Sequence, residues 1–303
     1  MNTSRPLLAA LAILLSGGLS HAGEAEKAEK LRVFVPVLPY EYLLQRIGGD
    51  WIEAKAIVGE GGDCHNYSPS PRQVADIARS NLLFAGGLSF EANFYVAVGD
   101  GENGPKEVDL LEGLELLEGT CSECASAAAE GKEAHAHEHE HEEKDAHVWL
   151  SPKVLSHQAT HAAAVLKENL PAAAAPDIDA NLAKLKSDLA AVDAELKSLL
   201  APKKGRAFYV YHGAFAYFAQ DYGLVQKAIE IGNRKPTPKQ VAEIAKQAKE
   251  EQVTTIFVQP QFDQSSGKAL AESIGGQVEA LDPLEKDVIA NLRSIGKAIS
   301  AAP

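Results

Sequence analysis

Short apolar runs alternate along this chain with stretches of helical period, and the alternation occurs in two halves. Leu31 to Val37, Glu53 to Val58 and Leu82 to Ala85 read as strands, the last closed by Gly86-Gly87. Helix-length stretches separate them, for example Pro71 to Ser80. In the second half, strands are predicted over Arg206 to Tyr211, Val225 to Ile229, Val253 to Val258 and Gln277 to Leu281. Helices are predicted over Ala214 to Tyr222, Pro238 to about Glu250, and Leu284 to Ile299. Thr237 and Pro238 have the form of an N-cap and first helical residue. Such alternation predicts parallel sheet with crossover helices, the α/β class.

The clearest helix lies between the halves. Leu182, Leu185, Leu189, Val192, Leu196 and Leu199 recur at steps of three and four over Ile178 to Leu200, giving one apolar stripe. A helix of that length runs roughly 35 Å, enough to tie two lobes together. The expected architecture is two parallel-sheet lobes joined by a long rigid helix, with the cleft between them as the natural binding place. The divisions are a signal segment at 1–22, a polar leader at 23–30, an N-terminal lobe at 31–150, a helical region at 151–204 with its linking helix at 178–200, and a C-terminal lobe at 205–303. Within the first lobe, 120–145 departs from the pattern. Cys121 and Cys124 are followed by an Ala/Glu stretch and then by His135, His137, His139 and His141 among glutamates. Few of these residues could fill a core, so a solvated, disordered loop is expected.

The first residues carry an address. Arg5, the apolar run Leu7 to Leu15 and the small residues around Ala22 have the form of a cleavable export signal. The run is too short to span a bilayer, although an uncleaved membrane anchor is the alternative reading. Net charge is −13 at pH 7, and an acidic surface repels polyphosphate, which argues against nucleic acid as a partner.

The histidines carry the candidate chemistry. His157 and His161 sit four apart on a predicted helix after Pro152, a spacing that can chelate a metal, although exposed helix histidines usually do not. His65, His147 and His212 each sit where a strand or loop ends, the place where α/β proteins gather ligands. Position alone leaves a joint site and three separate structural histidines about equally supported.

The surroundings of these three residues resemble a known family. Gly62-Asp63-Cys64-His65-Asn66-Tyr67-Ser68-Pro69-Ser70-Pro71, Asp145-Ala146-His147-Val148-Trp149-Leu150-Ser151-Pro152 and the whole of His212 to Leu224 are similar to signatures of the zinc/manganese solute-binding proteins of ABC importers, the ZnuA/TroA-like cluster A-I. Leu281-Asp282-Pro283-Leu284 fits the same pattern, and the likeness runs from Leu31 to Ile299. The resemblance implies metal ligation by His65, His147 and His212, with Asp282 as fourth ligand. It implies zinc as cargo, since three imidazoles and one oxygen suit zinc better than manganese, though imidazole also suits copper and nickel. It further implies a periplasmic or otherwise extracytoplasmic monomer that docks on an importer permease and catalyses no reaction. The His/Glu stretch is similar to the family's variable metal-rich loop, an auxiliary capture device if it is not merely a linker.

Two other functions are open on this scaffold: a secreted zinc hydrolase, for which no general base is indicated, and a surface adhesin. Several positions depart from the family pattern. Ala146 replaces Pro and Ser151 replaces Asp, which is expected to loosen the second loop. Gln259 stands where Glu is frequent, removing a charge behind the ligands. Cys64 replaces Pro, and three readings compete: a disulfide to Cys121 or Cys124, a thiolate ligand, or a buried bystander. Because imidazolium cannot ligate, zinc affinity is expected to weaken as pH falls through about 6.5.

Overall fold

Two four-stranded sheets, each wholly parallel, account for the alternation read from the sequence. The computed structural model describes residues 29–91, 98, 104–119, 144–230, 234–262 and 264–303. The signal segment, the leader through 28, Cys121, Cys124 and the histidines at 135, 137, 139 and 141 lie outside these residues.

The first sheet contains β1 (Leu31–Val37), β2 (Ile52–Val58), β3 (Leu82–Ala85) and β4 (Lys106–Asp109) in the order β2-β1-β3-β4. Val33 to Val37 of the inner strand β1 are all buried, as expected of a parallel strand covered on both faces. Helices α1 (Leu38–Gly48) and α2 (Pro71–Ile77) belong to this lobe. Ser70 and Gln73 form a reciprocal capping box at the start of α2, which fixes the exit of the loop carrying His65. The second sheet repeats the design with β5 (Ala207–Val210), β6 (Val225–Ala228), β7 (Thr255–Val258) and β8 (Gln277–Ala280), ordered β6-β5-β7-β8.

Between the sheets run α3 (Pro152–Asn169) and α4 (Ala175–Leu200). Helix α4 has 26 residues, about 39 Å. Its buried stripe is Ile178, Leu185, Leu189, Val192, Leu196 and Leu200, whereas Leu182 and Leu199 are only partly buried. The stripe therefore begins earlier and ends one residue later than periodicity predicts. Beyond it come α5 (Ala216–Tyr222), α6 (Pro238–Glu250), α7 (Ser265–Ile274) and α8 (Val288–Ala301). The last helix starts four residues later than expected, because the Asp287 carboxylate caps it by accepting from Ala290 N at 3.0 Å.

One hydrophobic core runs from the first sheet through α3 and α4 into the near face of the second sheet. Alternation along β5 divides the second lobe: Phe208 and Val210 join that core, while Tyr209 and Tyr211 face a smaller cluster with α6 and α7. The second lobe is thus anchored to the linking helix through α5 and α8. At the α4–α8 crossing, Gly296 approaches so closely that a Cβ there would lie 2.2 Å from Leu196 Cδ2. Gly296→Val is expected to lower stability by about 1–3 kcal/mol through overpacking, read from the urea midpoint. An unchanged midpoint would show that this crossing does not limit how closely the helices pack.

Candidate metal centre

All strands of a parallel sheet point one way, so their carboxyl ends collect at one edge, and the two such edges supply the site. His65 lies in the loop after β2, His212 two residues after β5, Glu230 two residues after β6, Gln259 directly after β7, and Asp282 two residues after β8. His147 caps a 3-10 turn (Val148–Leu150) ahead of α3.

Local bonds hold each loop. His65 N donates to Asp63 Oδ1 (2.8 Å), and Ser89 Oγ donates to the His65 carbonyl (3.2 Å). His147 N donates to Asp145 Oδ1 (2.9 Å), while the Asp145 carbonyl accepts from Tyr217 Oη (2.7 Å) on α5. His212 is gripped by a buried amide: its N donates to Gln259 Oε1 (2.9 Å), and Gln259 Nε2 donates to its carbonyl (3.2 Å). A glutamate could not make the second bond. Gln259 therefore fixes backbone where the sequence reading marked only a missing charge.

The rings converge. His65 Nε2 and His147 Nε2 are 3.2 Å apart, and His147 Nε2 and His212 Nε2 are 3.3 Å apart. The His65 and His212 ring centroids are 4.5 Å apart. Two carboxylates stand behind them: Asp145 Oδ1 lies 2.7 Å from His147 Nδ1, and Glu230 Oε2 lies 2.9 Å from His212 Nδ1. An ionised carboxylate can only accept, so each Nδ1 carries the proton and each Nε2 presents a lone pair. Two bare nitrogens cannot hydrogen-bond to one another. They fit a shared cation: nitrogens about 2.0–2.1 Å from a tetrahedral zinc lie about 3.3–3.4 Å apart.

Glu230 supplies the charge that Gln259 lacks, and sequence reasoning missed it. The available signal was its position just past the predicted strand Val225 to Ile229, the placement that singled out His212. Its backbone N donates to the Tyr211 carbonyl (2.9 Å), which sets it beside that histidine. Glu230→Gln, which keeps the shape and removes the charge, is expected to weaken zinc binding about 10- to 100-fold by chelator competition. Unchanged affinity would make Glu230 a bystander.

Asp282 is half-buried, and its Oδ1 accepts from Gln261 Nε2 (2.6 Å) and Leu284 N (2.8 Å). Phe262 packs on His212 with ring centroids 4.7 Å apart, and Trp149 packs on His147 at 5.3 Å. Ser151 tightens its loop instead of loosening it. Its Oγ accepts from Val154 N (3.3 Å) at the start of α3 and donates to Asp221 Oδ2 (2.6 Å), where an aspartate would meet like charge. Cys64 has a free, buried thiol, and a nitrogen of His65, one of His147 and the Cys64 sulfur lie within 4.8 Å of one another. Burial pushes this thiol up to about 12, aided by the charge of Asp63. The pair His157 and His161 lies apart from this cluster, against Glu112.

Burial, reinforced by His147 and His212, lowers His65 to about 2. Burial also lowers His212, against the opposing pull of Glu230. Protons therefore compete with a metal at these two rings only below pH 6.5, lower than the sequence reading expected. The same shift bears on stability. The unfolded chain protonates His65 near pH 6.5 while the folded chain keeps it neutral, so metal-free protein loses stability as pH falls from 6.5 toward 2. The expected slope is about 1.4 kcal/mol per pH unit for His65. Urea midpoints at pH 7.5, 6 and 5 would show it, and His65→Asn would flatten the slope; equal slopes would refute the assignment.

A two-lobed α/β fold that converges imidazoles in its cleft defines an ion-binding protein of the solute-binding class. The family described as "Zinc-uptake complex component A periplasmic" matches residues 33–301, and the chain belongs to it. It is 28% identical over 294 residues to a "Putative metal-binding protein" of Chlamydia trachomatis serovar D, covering 95% of this chain and 97% of that one. It is 28% identical over 291 residues to the "Zinc-binding lipoprotein AdcA" of Streptococcus pneumoniae serotype 4, covering 92% of this chain but 54% of the relative. Among solved structures, ZnuA superposes with a TM-score of 0.80 at 31% identity over 90% of this chain and 99% of that one. A zinc-bound ZnuA deletion mutant gives 0.78 at 31% identity, over 90% and 98%.

Proposed function

We propose that this protein is the extracytoplasmic zinc-binding component of an ABC importer, holding Zn(II) on His65, His147 and His212 and passing it to a membrane permease. The observation that carries the reading is that His147 Nε2 lies 3.2 Å from His65 Nε2 and 3.3 Å from His212 Nε2, with carboxylates on Nδ1 of His147 and His212. Family membership and the zinc-binding names of the relatives supply the ion. Asp282 completes the set with an oxygen by turning its carboxylate into the cleft, at the cost of a bond to Gln261. No described helix is long and apolar enough to cross a membrane. The histidines at 135, 137, 139 and 141 would act as a weak collector of the ion, raising its local concentration.

Native mass spectrometry of the signal-cleaved protein against competing zinc, manganese, copper and nickel tests this. One tightly held zinc per chain is expected, retained when Glu133 to Glu143 are deleted. Preference for manganese, or loss of the tight ion with the deletion, would overturn it.

A further inference from the structure

A second group of ligating side chains stands on the flank of α3, outside the cleft. His157 and His161 lie one helical turn apart on the same face, where two imidazoles can reach one ion. The turn after β4 packs against them and brings up Glu112. His157 Nε2 donates to the Glu112 carbonyl at 3.1 Å, which leaves its Nδ1 lone pair unused. His161 Nε2 is buried and has no hydrogen-bond partner, an arrangement that normally costs stability. It lies 3.6 Å from Glu112 Oε2. That gap exceeds hydrogen-bond length and is close to the separation of about 3.3–3.4 Å that a tetrahedral zinc sets between a nitrogen and an oxygen ligand. The Glu112 side chain is 71% exposed, so an ion can enter from its side and keep water as a remaining ligand.

We propose that His157, His161 and Glu112 form a second, weaker site for a borderline divalent cation such as zinc. His161 Nε2 and the Glu112 carboxylate are already placed for it. His157 joins by turning its ring from the Glu112 carbonyl. With three protein ligands, one of them mobile and exposed, the site binds loosely and exchanges quickly. Glu112 is six residues ahead of Glu118, which bridges Lys144 at the neck of the stretch 120–143. Six residues span at most about 21 Å, so an ion here stands near the base of the His/Glu-rich segment. The site would serve as a staging point between that segment and bulk solvent.

The test uses the intact chain with its tight site already filled by one equivalent of zinc. Further zinc is titrated while imidazole nitrogen shifts are followed by NMR and stoichiometry by calorimetry. His161 Nε2 is expected to shift as the weaker equivalents bind. His157→Asn/His161→Asn is expected to bind one ion fewer and keep the tight equivalent. Glu112→Gln, an exposed change that leaves the helix intact, is expected to weaken the His161 response at least tenfold. An unmoved His161 resonance up to millimolar zinc, or unchanged stoichiometry in the double variant, would overturn the proposal and leave only a His161–Glu112 ion pair. Loss of the tight equivalent in His212→Ala is a separate result, so this site and the cleft can fail independently.

Discussion

Replacing His212 with alanine is expected to weaken zinc binding about 1000-fold, roughly 4 kcal/mol. Removing a partner behind a ligand costs about 10- to 100-fold, and removing the ligand itself costs more. Its Nε2 lies 3.3 Å from His147 Nε2, so the ion loses one corner of its coordination, and water returns a weaker donor. His212 is also the histidine contributed by the second lobe, so its loss leaves Asp282 as that lobe's ligand. Glu230 would be left with a buried oxygen unpaired, and His212→Ala should also lose about 1–3 kcal/mol of stability. Chelator competition measures affinity, and circular dichroism confirms that the variant folds. Deletion of Glu133 to Glu143 should leave the tight constant unchanged. Equal losses in both variants would place the tight site in the His/Glu-rich stretch instead.

The parallel, two-lobed architecture was legible because buried parallel strands are nearly continuous apolar runs, and β1, β3, β5 and β7 are of that kind. Edge strand β4 was not. Lys106, Glu107 and Asp109 are exposed and only Val108 is buried, so no apolar run marks it. Among the site residues, His65, His147 and His212 could be read from their places where strands or loops end, but pattern alone left them undecided and resemblance to a family joined them. Glu230 and Gln259 show the limit of such reading. Both act on His212 from neighbouring strands, one on its ring and one on its backbone, and only the strand order β6-β5-β7 makes them neighbours. Ser151 taught a similar lesson: its value lies in Asp221, 70 residues away.

Trp149→Ala is expected to destabilise the metal-free protein by about 3–5 kcal/mol, the range for deleting a large buried aromatic. Trp149 is fully buried, meets Tyr40 edge-on at 5.6 Å and touches His147. Its Nε1 donates to the Pro283 carbonyl at 2.8 Å, joining the His147 turn to the loop that carries Asp282. Trp149→Phe keeps most of the packing and removes the donor, so it should cost less, about 1–3 kcal/mol. The two variants separate packing from the hydrogen bond even if the alanine variant aggregates. Zinc should restore much of the loss, because an ion bound only to folded protein adds stability in proportion to the logarithm of its concentration over Kd. The restoration should be smaller than in the parent chain if Trp149 also positions the Asp282 loop. Urea midpoints with and without saturating zinc decide this: equal zinc increments in parent and Trp149→Phe would show that the bond to Pro283 holds the fold but does not set the site.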